Sequence, residues 1–187
     1  MRNQIELKMK SSTKLVLTIL HVIAWIIFLG LCVKTGAILY SFFVSLAINP
    51  EGAKNIYMGL DLSSLYSFDK GNYVAIVSVM IILSFLKSFL FYLVVKIFLK
   101  INLVNPFSED VSLLISRIGY IALIIGILTI IANKYCDWLT KKGVTFRDLQ
   151  PVLGGAGEFL LLGAIIFIIA QVFKRGIEIQ TENALTV

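Results

Sequence analysis

Four long apolar stretches, separated by short polar segments, dominate the chain. They occupy residues 15–33, 73–95, 113–132 and 153–173. An α-helix rises about 1.5 Å per residue and the hydrocarbon core of a bilayer is about 30 Å thick, so one crossing needs about 20 mostly apolar residues. Each stretch reaches that length. The pattern therefore predicts an all-α bundle of four transmembrane helices, in a single integral membrane domain over residues 1–187.

The chain between the first two stretches is predicted to be less regular than the stretches themselves. Residues 35–48 are again apolar but too short for a separate crossing. This segment either prolongs the first helix beyond the membrane surface or lies in the interface as an amphipathic helix. Asn49-Pro50 ends it, and residues 51–72 predict a loop rich in glycine and serine. Three tyrosines in this loop or directly after it suit a position among lipid headgroups: Tyr57, Tyr66 and Tyr73.

The composition indicates that lipid is the solvent for much of this surface. Hydrophobic residues make up 58% of the chain and charged residues 15%, and the mean hydropathy is +0.91. A water-soluble fold of this size cannot bury that much apolar surface. In a soluble protein the net charge of +6 would suggest nucleic acid. Here lysines and arginines flank membrane helices and face anionic headgroups, so we expect no direct contact with nucleic acid.

The distribution of basic residues predicts the topology. The first 14 residues carry four basic residues and one acidic residue, which favours a cytoplasmic N-terminus. The apolar run that follows is longer than the core of a cleavable signal, so we interpret it as a retained first span. Four crossings then place the C-terminus in the cytoplasm as well. Cys32 and Cys136 would both lie near the outer face, and whether they pair is left open.

Two polar residues, Lys87 and His21, lie inside the predicted spans. A cation in the hydrocarbon costs at least about 2.5–3.5 kcal/mol, so Lys87 should face a partner, water or a polar cavity. One alternative is a proton, ion or substrate site; the other is a structural contact with a carbonyl, Ser84 or Ser88. We interpret His21 as a packing residue, since one histidine cannot form a metal site alone. No catalytic, cofactor or metal pattern emerges, so we expect a non-enzymatic protein.

Small residues predict where the helices approach closely. Gly119, Ala122 and Gly126 recur on one side of the third stretch, and Gly163 lies in the fourth. Helices in lipid associate through close backbone approach rather than through hydrophobic exclusion, so small residues belong at their interfaces. The sequence leaves open whether this interface lies within one chain or between the subunits of a homo-oligomer.

Two polar segments on the predicted cytoplasmic side carry distinctive motifs. The first precedes the third stretch and consists of Asn105, Pro106, Phe107 and Ser108. Its serine is a predicted N-cap, and the two acidic residues that follow suit the positive end of a helix dipole. The second is the tail, which could add to a partner as a strand, dock as a short helix or fray. Its notable residues are Gly176, Glu178, Gln180, Glu182, Asn183, Leu185, Thr186 and Val187.

These two motifs resemble those of a bacterial family of four-helix membrane proteins, domain of unknown function 2975. The resemblance covers nearly the whole chain and implies a multi-pass protein of the bacterial cytoplasmic (inner) membrane. Genes of this family often lie beside that of a small Cro-like helix-turn-helix regulator. The resemblance therefore implies a membrane anchor or sensor that binds or sequesters such a regulator through the two motifs. The alternative is a small permease, channel subunit or immunity-type protein that uses Lys87 and the bundle interior.

Overall fold

The structure, a computed structural model, describes residues 2–101, 107–146 and 149–185, with side chains between residues 13 and 182 of those ranges. Six α-helices and one short 3-10 helix, Pro50–Lys54, make up the regular structure there. The α-helices are α1 (Arg2–Ala47), α2 (Ser63–Phe68), α3 (Lys70–Lys100), α4 (Glu109–Lys141), α5 (Gln150–Leu153) and α6 (Ala156–Leu185). Four segments are long and apolar enough to cross a membrane: α1, α3, α4, and α5 together with α6. The predicted all-α fold with four such helices is confirmed.

The four long helices pack in chain order and alternate in direction. α1 packs on α3, α3 on α4, and α4 on α6. The contacts that establish the alternation are Ser45 with Tyr73, Lys100 with Asp110, and Phe107 with Phe173. The start of α1 and the end of α6 therefore lie at the same end of the bundle. We call this the proximal end, and the opposite one the distal end.

The first helix continues beyond the first apolar stretch without a break. α1 has 46 residues, which corresponds to about 69 Å and exceeds the thickness of a bilayer. Residues 35–47 are thus a prolongation of this helix and not a separate interfacial one. Asn49 marks its end, because the Asn49 side chain accepts a hydrogen bond from the Glu51 N–H and Pro50 begins the 3-10 helix.

Residues 51–72 form part of a packed cap at the distal end, where the sequence predicted a loop. The 3-10 helix packs on α1 and on α2, and α2 packs on α3. We call residues 35–80 and 133–146 the distal cap. Fully buried side chains in it include Ile38, Ile56, Leu62, Leu65 and Leu139. A core of this kind is typical of a protein interior and not of a flexible connection.

Tyr73 belongs to this buried core, so its predicted position among headgroups is wrong. Its side chain is fully buried, and its hydroxyl lies 2.6 Å from the hydroxyl of Ser45. The ring of Tyr66 meets that of Tyr73 edge-on at 5.0 Å between centroids. A tyrosine can be buried in this way because its hydroxyl finds a partner.

The predicted small-residue face is confirmed at the contact between α4 and α6. A Cβ on Gly163 would lie 2.7 Å from the Leu123 side chain and 3.1 Å from the carbonyl oxygen of Gly119. A Cβ on Gly126 would lie 2.6 Å from a leucine side chain of α6. Ala122, between the two glycines of α4, is fully buried. This interface therefore lies within one chain, and it requires close backbone approach.

Candidate functional site

At the proximal end, the start of α4 and the end of α6 enclose a groove. α6 continues as a helix through Leu185, so the described part of the tail is helical and not a strand. Two adjoining hollows, of about 430 and 300 Å³, lie between the helices. We call the surface that lines them the proximal groove. Its residues are Phe107, Glu109, Ser112, Leu113, Ser116, Lys174, Ile177, Glu178, Gln180 and Thr181.

The two sequence motifs meet at this groove. The ring of Phe107 contacts that of Phe173 edge-on, with 5.3 Å between centroids. It also lies directly against Gly176, where a Cβ would come within 2.6 Å of the Phe107 ring. A glycine is therefore needed for this contact. Ser108 accepts a hydrogen bond from the Val111 N–H at 3.4 Å, which confirms it as the N-cap of α4.

Charges of both signs surround the proximal groove. Lys100 binds Asp110 at 2.5 Å and so links α3 to α4. Arg175 binds Glu178 at 2.8 Å within α6. All four side chains are about half exposed or more, and exposed pairs of this kind contribute at most about 1 kcal/mol. These side chains can therefore exchange their ion-pair partners for groups of another molecule with little loss of free energy.

The structure covers the other predicted partner-binding residues only in part. Glu178 and Gln180 line the proximal groove, and Glu182 is exposed on α6. The backbone of Asn183 and Leu185 is helical. Four predicted residues lie outside the described residues: Asn105, Pro106, Thr186 and Val187.

Lys87 contacts backbone carbonyls at a break in the fourth span. The chain interrupts its helix between α5 and α6, where Gly155 has a φ of +86° that favours glycine. Lys87 Nζ donates to the carbonyl oxygens of Val152 at 3.3 Å and of Gly154 at 3.5 Å. It also lies 5.2 Å from the centroid of the Phe159 ring. The sequence predicts a backbone carbonyl, Ser84 or Ser88 as a structural partner of Lys87, and the observed partners are backbone carbonyls.

Lys34 was missed by sequence reasoning, although it contacts the same turn. Its Nζ donates to the carbonyl oxygen of Pro151. Asn133 Nδ2 donates to the carbonyl oxygen of Leu153 at 3.0 Å. Side chains from α1, α3 and α4 therefore bind successive carbonyls at the end of α5, groups that a helix end leaves without partners. In the sequence Lys34 is an ordinary flanking lysine, and only the fold brings it to the turn that Lys87 contacts.

His21 has the contacts of a packing residue. Its Nε2 accepts a hydrogen bond from Trp25 Nε1 at 3.0 Å, and its ring stacks on Phe98 with 5.6 Å between centroids. The two cysteines are free thiols, Cys32 exposed and Cys136 buried. Among the described side chains, no group of three histidines, cysteines or carboxylates could hold a metal ion.

Comparison with known proteins identifies a family. The family described as "Protein of unknown function (DUF2975)" matches residues 45–187. No curated protein and no solved structure matches the chain. The matched region begins near the end of α1 and includes most of the distal cap, the break before α6 and the proximal groove.

Proposed function

We propose that this chain, which belongs to the DUF2975 family of proteins of unknown function, is a membrane anchor or sensor for a small cytoplasmic helix-turn-helix regulator. The four candidate spans make it a multi-pass membrane protein. The observation that carries the proposal is the meeting of the two motifs, Phe107 against Gly176, in one groove. The proposed location is the bacterial cytoplasmic membrane, with the proximal end in the cytoplasm.

The part of the proximal groove that α6 lines beyond the fourth apolar stretch supports access by a soluble partner. The fourth apolar stretch ends at Phe173, and α6 continues for twelve more residues to Leu185. At about 1.5 Å per residue this extension is about 18 Å long. Its first residues, Lys174 and Arg175, are exposed and suit the membrane surface. With these two residues at the membrane surface, the rest of the extension would be available to a protein in the aqueous phase.

The lining of the groove suits a helical partner. Phe107 and Ile177 supply apolar contacts, while Gln180 and Thr181 add hydrogen-bonding groups beside them. A helix that docks in a groove places a few apolar side chains in such hollows and leaves its polar side chains at the rim. A helix-turn-helix regulator is a small helical domain with exposed helices of this kind.

Ending the chain after Arg175 is expected to abolish recruitment of the regulator while membrane insertion is retained. The truncation removes one wall of the proximal groove, including Ile177 and Gln180, but leaves the four apolar stretches intact. Full-length and truncated proteins, expressed at equal levels and gently solubilised, are compared by affinity pull-down with mass-spectrometric identification. Equal recovery of a helix-turn-helix protein with both would contradict the proposal.

The alternative function, a small permease, channel subunit or immunity-type protein, depends on Lys87. The contacts of its ammonium group with two carbonyls and an aromatic ring supply a structural reason for a lysine at that position. No contact of Lys87 with the described residues specifically favours transport, so this alternative stays a prediction. Self-association into a homo-oligomer also stays a prediction.

A further inference from the structure

We propose that Lys34 and Lys87 together bind a phosphate group beside α5, at the distal boundary of the hydrocarbon. The two ammonium groups come from different helices and meet at one turn. Lys34 Nζ binds the carbonyl of Pro151, and Lys87 Nζ binds that of the next residue, Val152. Two like charges held at the carbonyls of consecutive residues repel one another. An anion placed between them would remove this repulsion.

Both ammonium groups keep donors for such a ligand. A lysine ammonium has three N–H donors. Lys34 uses one of them on a described carbonyl and Lys87 uses two. The ring of Tyr57 lies 5.3 Å from Lys34 Nζ, and that of Phe159 lies 5.2 Å from Lys87 Nζ. Each ammonium group thus lies near one aromatic ring, which is a favourable contact for a cation.

The pair has no carboxylate partner among the described side chains. The ion pairs between described residues are Lys54 with Glu51, Lys100 with Asp110, and Arg175 with Glu178. Glu158, in the first turn of α6, is exposed and forms no ion pair with Lys34 or Lys87. Carbonyl dipoles offset two partly buried cations only in part, and a buried charge is strongly favoured to find an opposite one.

The position of the site at the ends of the first, third and fourth apolar stretches favours phosphate as the anion. Lys34 directly follows the first apolar stretch, and Asn133, which binds the same turn as the lysines, directly follows the third. The Lys87 side chain extends from within α3 to this level, as long cationic side chains do near a membrane boundary. Phosphodiesters of lipid headgroups lie at this boundary, and lysine is a common phosphate ligand. The same chemistry would accept a lipid headgroup or free inorganic phosphate.

The test compares purified full-length protein with the variants Lys34→Gln and Lys54→Gln in detergent. Lys34 lies on the least buried span, so its replacement is expected to leave the packing of the long helices intact. Lys54 is an exposed lysine of the distal cap and serves as the matched control. Binding of phosphatidylglycerol, and separately of inorganic phosphate, is measured by native mass spectrometry and by the shift in melting temperature.

The expected result is that Lys34→Gln weakens binding by about tenfold, as expected for a lost hydrogen bond to a charged group, whereas Lys54→Gln binds like the parent protein. A response to phosphatidylglycerol alone identifies a lipid headgroup as the ligand. A response to inorganic phosphate as well shows that a free anion also fits. Equal binding by the parent protein and Lys34→Gln, or equal loss in both variants, would overturn the proposal. Because none of these readouts involves the regulator, the result is independent of the proposed function.

Discussion

Replacing Gly163 with leucine is expected to separate α4 from α6 and to lower the free energy of unfolding by about 1–3 kcal/mol or more. A Cβ at this position would already lie 2.7 Å from the Leu123 side chain and 3.1 Å from the carbonyl oxygen of Gly119. The first contact can relax by a change of rotamer, but the second involves backbone and requires the helices to move apart. Thermal unfolding of the detergent-solubilised protein measures the loss.

Gly157→Leu is the matched control for this substitution. Gly157 lies on the same helix, and a Cβ there meets nothing within 4 Å. The same side chain should therefore change the free energy of unfolding by no more than about 0.5 kcal/mol. If both leucine variants unfolded at the same temperature, the close contact between α4 and α6 would not be the source of the effect, and the described packing would be contradicted.

Replacing Gly176 with leucine is expected to abolish recruitment of the regulator while the four spans stay inserted. A Cβ on Gly176 would lie within 2.6–2.9 Å of three atoms of the Phe107 ring, so the ring must leave its place between α4 and α6. That movement changes the proximal groove without removing any part of the tail. Recruitment is measured by the same pull-down, with Gly157→Leu as the matched control.

A second substitution shows whether the effect acts through Phe107. Combining Gly176→Leu with Phe107→Ala removes the ring that the leucine displaces, and the double variant should bind no worse than Phe107→Ala alone. Two independent sites would instead give additive losses. Additive losses, or normal recruitment by Gly176→Leu, would show that the contact between the two motifs does not shape the binding surface.

The features that the sequence predicted correctly depend on local patterns. Hydropathy over about 20 residues is enough to find the four spans, because a helix that crosses the hydrocarbon core must be mostly apolar along that length. Ser108 acts on a backbone N–H only three residues away, so its role as N-cap can be seen in a short segment. The stripe from Gly119 to Gly126 follows helical spacing, and one helix is sufficient to recognise it.

The features that sequence reasoning missed depend on contacts between distant segments. Residues 51–72 of the distal cap were expected to be a loop, because the buried residues of the cap are scattered over a short helix, a 3-10 helix and the ends of long helices. Lys34 and Pro151 are 117 positions apart, and no local pattern relates them. The conformation of the tail could not be predicted from its own sequence. The tail is part of α6, and α6 is stabilised partly by packing on α4, a contact that the tail sequence alone does not reveal.

Site-specific photo-crosslinking in living cells, with a photoreactive amino acid placed at Gln180 or at Ile168, tests most directly whether the proximal groove binds the regulator. Gln180 is exposed in the proximal groove, whereas Ile168 lies on the same helix inside the apolar stretch and is 64% exposed. We expect a covalent adduct with a helix-turn-helix protein from position 180 and none from position 168. No such adduct from position 180, or the same adduct from both positions, would contradict this expectation.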